Sequence, residues 1–355
     1  MSETLPLRVG IIGYGLAGAV FHAPLVAFTP GLEVAAIVTN NPERRAQAQR
    51  DFSTAALLDN AEALFADQAI DLVVVASPNR THAPFARSAL NVGKHVVIDK
   101  PAALTSADVE ALIALAQERK RILTVYQNRR WDGDFLTIRH LLDHRVLGDV
   151  FSFESHFDRY RPAPNPDAWR EKVEEGGGLL YDLGAHLIDQ ALVLFGPVER
   201  VYAEVDVRRA HATVDDDVSI SLTHRNGMRS RLHATAVARI LGPRFHLRGL
   251  QGAFEKYGLD PQEDALRQGE RPGKPGWGTE PRSAWGHLST ALGALHVDGP
   301  VETLPGCYEQ FYQALCDALT QGGPPPVDPA DAVASLRVIE AARRSAQSGE
   351  VVRLH

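Results

Sequence analysis

The stretch "LRVGIIGYGLAG" (7–18) constrains this chain most. Six residues of strand character, Leu7 to Ile12, run into Gly13, Gly15 and Gly18, and an apolar-periodic segment over 16–28 comes directly after. Glycines in the spacing G-x-G-x-x-G serve a definite geometry between a strand and a helix. The first permits a tight turn, the second lets another molecule approach the backbone, and the third lets the helix pack on the strand. The free N–H groups of that helix then face an anion. Alone the pattern is common. In this context it predicts the first βα turn of a doubly wound parallel sheet, with Gly13, Tyr14, Gly15, Leu16, Ala17 and Gly18 around the pyrophosphate of a dinucleotide.

The strand–helix unit then repeats. Short apolar runs at 33–38, 71–77, 95–99 and 121–126 alternate with helical segments at 42–51, 60–67, 81–92 and 105–119. Strand and helix in strict alternation predict successive βαβ units and a parallel sheet. Thr105 stands where an N-cap is needed for the last helix. Past residue 126 the texture changes. The runs 150–157, 200–207, 217–224 and 229–236 alternate polar and apolar residues, the period of a largely antiparallel sheet with one polar face, and Asn226-Gly227 reads as a hairpin turn. Segment 257–283 is rich in Gly and Pro and is expected to be a long loop, while 328–350 has the cap and apolar stripe of a terminal helix. The fold class is therefore α/β in two domains, a doubly wound one over 1–125 and an α+β one over 126–355, which a chain of 355 residues accommodates.

Composition narrows the functions. A net charge of −7, with adjacent arginines only in short pairs rather than a stripe, weighs against a nucleic-acid partner. Two cysteines, Cys307 and Cys316, lack metal-ligand spacing and suit a reducing, cytoplasmic setting. No run approaches the roughly 18 apolar residues of a membrane span, and "MSETLPLRVG" lacks the pattern of a secretory leader.

The second strand ends "VTNNPERR", with Thr39, Asn40 and Asn41 at its tip, Arg44 and Arg45 just beyond, and no carboxylate where NAD-binding sheets place one for the ribose hydroxyls. Small polar groups with an arginine suit a 2′-phosphate, so NADP is favoured over NAD. Either arginine taken singly can also be read as a solvated helix charge. Ser77, Pro78 and Asn79 fall at the carboxyl end of the third of these runs, where open α/β sheets bind ligands, and His82 is either part of the next helix start or part of the cleft. "HVVIDKPAA" (95–103) puts Asp99 and Lys100 at the same end of the next strand, with Pro101 biasing Lys100 toward extended backbone. Asp182 and His186, four apart after the glycines 176–178, share one helix face.

Four segments together, "GYGLAG", "SPNRTH", "DKPAA" and "GGGLLYDLGAHLIDQ" (176–190), resemble the Gfo/Idh/MocA family of nicotinamide-dependent oxidoreductases over nearly the whole chain. "FHAPL", "NRRWDGDF", "SHFDRYRP" and "KYGLDPQE" look like its NADP-dependent scyllo-inositol dehydrogenase branch. The resemblance implies a Rossmann domain followed by an open-faced α+β domain that shapes the substrate site, and a homodimer or homotetramer. It implies catalysis by Lys100, Asp182 and His186 on a secondary alcohol or ketone of a cyclic polyol or sugar. The family usually has glutamate where this chain has Asp99.

Oxidation of an alcohol needs a base for the hydroxyl proton, for which His186 is suited, and a donor to the developing alkoxide, for which Lys100 is suited. Asp99, Lys100 and Asn128 are expected at the cofactor. Arg130, His156, Asp158, Tyr160 and Trp169 join Lys100, Asp182 and His186 on the substrate side, although Arg129 to Asp132 read equally as a packing and ion-pair cluster. No metal is expected: Asp182, His186 and Asp189 are spaced for one, but hydride chemistry with a lysine needs none. Two other readings use the same fold, an NAD-dependent glycosidase and a regulator that binds the dinucleotide without chemistry.

Overall fold

The computed structural model describes residues 5–354, which divide into two compact units. In the first, β1 (Leu7–Ile12), β2 (Leu32–Val38), β3 (Ala56–Leu58), β4 (Leu72–Val75), β5 (His95–Asp99) and β6 (Leu123–Tyr126) form one sheet in the order β3-β2-β1-β4-β5-β6. Every neighbouring pair is parallel. This is the doubly wound Rossmann order, and its switch point lies between β1 and β4, where such sheets receive ligands. The strands are apolar on both faces because helices cover both, and Val73, Val74, Val96 and Val97 are wholly buried. Short β3, "ALL", gives too brief a run to register as a strand in the sequence.

The connecting helices are α1 (Ala23–Phe28), α2 (Pro42–Asp51), α3 (Ala61–Ala66), α4 (His82–Asn91) and α5 (Ser106–Arg119). A π-helical turn, Ala17–His22, leads into α1, so the expected helix over 16–28 has a widened first half. Asn41, Asn60 and Thr105 each cap a helix through a side-chain oxygen that accepts a backbone N–H. Two later stretches, 262–277 and 307–333, complete this unit. The expected loop over 257–283 holds a short helix, Gln262–Arg267, whose buried Gln262 accepts the Tyr308 N–H at 2.7 Å. Helix Glu309–Gln321 buries Phe311, Tyr312 and Leu315.

The second unit comprises 129–261, 278–306 and 334–355. Its strands are β7 (Val150–Asp158), β8 (Val198–Asp206), β9 (Asp217–His224), β10 (Arg229–Thr235), β11 (Phe245–Gly249), β12 (Gly252–Lys256), β13 (Gly286–Leu292), β14 (Leu295–Val301) and β15 (Val352–Arg353). They form a nine-stranded sheet in the order β14-β13-β12-β11-β7-β10-β9-β8-β15. All its pairs are antiparallel except β7 with β10. Asn226-Gly227 makes the β9–β10 hairpin, with Gly227 at φ +85° and the Asn226 side chain accepting the Met228 N–H.

Helices α6 (Gly133–Asp143) and α7 (Ala185–Phe195) belong to this unit. Along β7, Phe153, Ser155 and Phe157 are buried, while Glu154, His156 and Asp158 point to the other, partly exposed face. One helical stretch among the described residues, Val173–Phe195, is long and apolar enough to cross a membrane by composition, and 67% of its apolar window is buried inside the protein.

Candidate active site

Gly13, at φ +100°, holds a turn that L side chains rarely adopt, and a Cβ there would lie 2.5 Å from the Ala76 carbonyl oxygen. A Cβ on Gly18 would lie 2.0 Å from the Gly13 carbonyl oxygen. Both glycines are thus required by the protein's own packing. Gly15 is different. Its φ is ordinary, and a Cβ would meet only the Arg44 guanidinium at 3.5 to 3.8 Å, van der Waals distance. None of these contacts demands glycine at 15, so the missing side chain leaves the backbone open to the close approach that a pyrophosphate requires, with the Arg44 guanidinium beside it. The residues fit a dinucleotide.

Around that cradle the side chains sort themselves. The Tyr14 hydroxyl donates to Asp51 Oδ2 at 2.9 Å, and burial, reinforced by Asp51, pushes its pKa up. Tyr14 therefore ties the loop to α2. Thr39 is buried, Asn40 is exposed, and Asn41 caps α2. Of the two arginines, Arg45 is held by Asp59 Oδ1 at 2.7 Å and the Leu57 carbonyl at 3.0 Å. Arg44, one turn into α2, extends its guanidinium across Gly15 instead.

At the end of β4, the Thr81 hydroxyl donates to the Pro78 carbonyl at 2.7 Å, so Ser77 Oγ is the donor of the 2.6 Å bond to Thr81. The buried His82 ring lies 2.8 Å from the Ser77 carbonyl and 2.7 Å from that of Pro101. It stitches the turn after β4 to the turn after β5, and burial pushes its pKa down. Asn79 is buried beside it.

Lys100 emerges half-buried at the carboxyl end of β5. Its backbone N–H donates to Asp99 Oδ1 at 2.8 Å, and Asp99 Oδ2 lies 4.0 Å from Nε2 of the fully buried His22. His22 Nδ1 is 2.6 Å from the Tyr312 hydroxyl, and its ring packs 4.5 Å from that of Tyr126. Burial pushes the His22 pKa down to about 4. Asp99 thus fixes the backbone that presents Lys100, with a neutral histidine behind it. Sequence reasoning did not single out His22, although it lies in the quoted "FHAPL". A histidine inside an otherwise apolar helical stretch is the signal that was there to read. Asn128 is buried after β6.

In the second unit the glycines 176–178 do what the chain there requires. A Cβ on Gly177 would lie 2.3 Å from the Arg170 carbonyl oxygen, and Gly178, at φ +105°, abuts the Asp215 carboxylate. Asp215 caps the following turn, accepting the Leu180 N–H at 2.6 Å. That turn, Leu180–Gly184, is π-helical and leads into α7. Asp182 therefore sits on a π turn and His186 in the first turn of α7; the wider winding keeps positions four apart on one face. Asp182 faces Arg170 Nε at 3.4 Å, and the Arg170 guanidinium stacks 4.4 Å above the Trp169 ring. Trp169 and Asp182 are brought together through an arginine. A recess of about 80 Å³ adjoins Asp182, and Arg159, Arg161 and Arg209 are among its lining residues.

His186 is 5% exposed and packs 6.3 Å from Phe157. Guanidinium groups of Arg244 and Arg129 lie 4.3 and 4.8 Å from the same ring. Arg244 also donates to Gln190 Oε1 at 2.7 Å and Ser155 Oγ at 2.6 Å. Arg130 forms a bidentate pair with Asp189, at 2.6 and 2.9 Å. Residues 189–190 of the second-unit signature thus anchor α7 by its arginines.

His156 and Asp158, expected beside His186, stand on the opposite face of the sheet. Strand alternation decides this: Phe157, between them, is the residue that meets His186. Tyr160 is exposed, bridges to Val237, and carries Arg239 4.3 Å above its ring.

A dinucleotide-binding Rossmann sheet followed by an α+β unit is the architecture of a nicotinamide-dependent oxidoreductase. Residues 7–127 match the oxidoreductase family's NAD-binding Rossmann fold, and residues 139–354 match its C-terminal alpha/beta domain. The chain belongs to the Gfo/Idh/MocA family. It is 42% identical over 341 residues to the uncharacterized oxidoreductase YdgJ of Escherichia coli K12, covering 96% of each chain. It is 36% identical over 351 residues to the scyllo-inositol 2-dehydrogenase (NADP(+)) IolW of Bacillus subtilis, covering 98% of this chain and 96% of that one. The solved structure of yvaA from Bacillus subtilis superposes over 100% of both chains, with a TM-score of 0.95 and 35% identity.

Proposed function

We propose that the enzyme is NADP-linked and transfers hydride between the nicotinamide and a secondary alcohol or ketone of a cyclic polyol or sugar. The observation that carries the cofactor choice is Arg44, whose guanidinium lies over Gly15 while its neighbour Arg45 is held by Asp59. Similarity to IolW supports both the cofactor and the polyol class. When bound, the nicotinamide supplies the hydride acceptor. His186 takes the hydroxyl proton, and the Lys100 ammonium donates a hydrogen bond to the oxygen as negative charge develops on it. Asp182, oriented by Arg170, holds a substrate hydroxyl.

The test is a panel of inositols, aldoses and their ketones with NADP and NAD, followed by reduced-cofactor absorbance. Turnover of at least one cyclic polyol or sugar with NADP, lowered at least ~100-fold by Lys100→Ala and strongly by His186→Gln with cofactor binding kept, is the expected result. Undiminished turnover in both variants would remove these assignments.

A further inference from the structure

The open face of the second unit's sheet carries a side-chain cluster that the proposed chemistry does not use. His156 and His233 are direct neighbours on the parallel pair β7–β10, and Asp158 is the next residue on the same face of β7. His233 Nδ1 lies 2.9 Å from Asp158 Oδ1, and His156 Nδ1 faces Asp158 Oδ2 at 3.5 Å. One donor atom from each of the three lies within 4.8 Å of the others. His156 Nδ1 is sealed from solvent and makes no hydrogen bond.

We propose that His156, Asp158 and His233 form a binding site for a divalent transition-metal ion of the zinc class. Two imidazoles and a carboxylate are the donor set such ions take, with an open position for water. Ligand bonds of roughly 2.0–2.2 Å in tetrahedral array place donor atoms about 3.4 Å apart; His156 Nδ1 already stands 3.5 Å from Asp158 Oδ2, and the three donor atoms, within 4.8 Å of one another, draw in around an ion. The 2.9 Å contact of His233 opens by about half an ångström when an ion replaces the proton between them.

The surroundings are built for it. Asp217 Oδ1 stands 3.7 Å from the far nitrogen of His233, the carboxylate–imidazole arrangement that orients a metal-binding histidine. The Gly242 N–H holds Asp158 Oδ2 at 2.8 Å. A Cβ at 242 would lie 2.7 Å from His156 Nδ1, so only glycine leaves that nitrogen free to face the carboxylate. Asp158 is 6% exposed in its side chain. A second such trio, His287, His296 and Asp298, sits on the β13–β14 hairpin with side chains 52 to 70% exposed and lacks this framing.

The test uses the full chain without an affinity tag, stripped by chelator. Zinc is titrated by calorimetry and cobalt serves as a spectroscopic probe. One ion per chain is expected, with the visible ligand-field bands of tetrahedral cobalt. His156→Gln, Asp158→Asn and His233→Gln each weaken binding at least ~100-fold, and Asp217→Asn about 10-fold. Circular dichroism confirms that each variant is folded. Gly242→Ala, which keeps every ligand, weakens binding by crowding His156. His287→Gln and His186→Gln leave it unchanged. The proposal is overturned if no stoichiometric ion binds, or if binding depends on His287 or His186 rather than on the three named ligands.

Discussion

Replacing Arg44 by alanine isolates what selects the cofactor. The guanidinium lies at the glycine cradle, 3.5 Å from the Cβ position of Gly15, on an exposed first turn of α2. A phosphate monoester near pH 7 carries a charge of roughly −1.5 to −2. Opposite unit charges about 4 Å apart attract by ~1 kcal/mol in water-like surroundings, so this pair gives ~1.5 to 2 kcal/mol. A charge-assisted hydrogen bond, at about 1.5 to 3 kcal/mol, leads to the same range. Arg44→Ala should then weaken NADPH by roughly 10- to 30-fold at low salt, less as salt rises, and NADH by under about twofold. Fluorescence titration of both reduced cofactors measures it. Arg45→Ala is the control: its side chain is held by Asp59 and Leu57, so the NADPH-to-NADH ratio should stay as in the parent. Equal losses for both cofactors, or no loss for NADPH, would refute the reasoning.

Other consequences can be checked separately. Gly15→Ala should fold with an ordinary melting temperature yet bind neither cofactor well, whereas Gly18→Ala should lower stability itself, since only the latter meets backbone at 2.0 Å; thermal melts with and without NADPH separate the two. Asp189→Asn should cost about 3 kcal/mol, because Arg130 and Asp189 are 13% and 3% exposed in their side chains and the arginine keeps its buried charge; combining Arg130→Met with Asp189→Leu should recover most of it in denaturant melts. Acid should destabilise the protein early: His22 and His95 are both pushed down to about 4 by burial, against about 6.5 when unfolded. Their contribution is full above pH 6.5 and falls by ~1.4 kcal/mol per pH unit for each as pH drops toward 4. Denaturant melts over that window should show a slope that His95→Asn reduces.

How much could be read in advance tracked physical range. The Rossmann sheet was legible because each βα unit is local: strand, glycine turn, cap and helix lie within about thirty residues, and "VVV" or "HVVI" leaves no alternative to a buried strand. More than half the strands of the second sheet were not. Strands such as "FHLRG" and "GAFEK" are five residues long with charged members, and their pairing with β7 and β13 is decided by tertiary contact rather than by pattern. Site residues divide the same way. Lys100, Asp182 and His186 stood out by motif, but the face of β7 on which His156 and Asp158 fall depends on which parity meets α7. Two polar residues flanking Phe157 carried that information: the large apolar member of an alternating strand takes the core side, and its neighbours take the other.

Asp99 shows how a departure at one position can be absorbed by the structure around it. A carboxylate directly before Lys100 cannot be there for charge pairing with the lysine side chain alone, because its Oδ1 already accepts the lysine's own backbone N–H. The shorter side chain of aspartate keeps that oxygen over its neighbouring peptide and turns the other toward His22, itself held by Tyr312 from a helix more than two hundred residues later. The lysine's presentation thus depends on a buried, neutral imidazole and a distant tyrosine as well as on the end of β5. Glutamate at 99 would lengthen the reach across the 4.0 Å gap to His22 Nε2, a buried nitrogen with no hydrogen-bond partner, and so change what holds the carboxylate. Aspartate at 99 and the His22–Tyr312 pair are therefore one arrangement, and a change at either end alters how Lys100 is aimed.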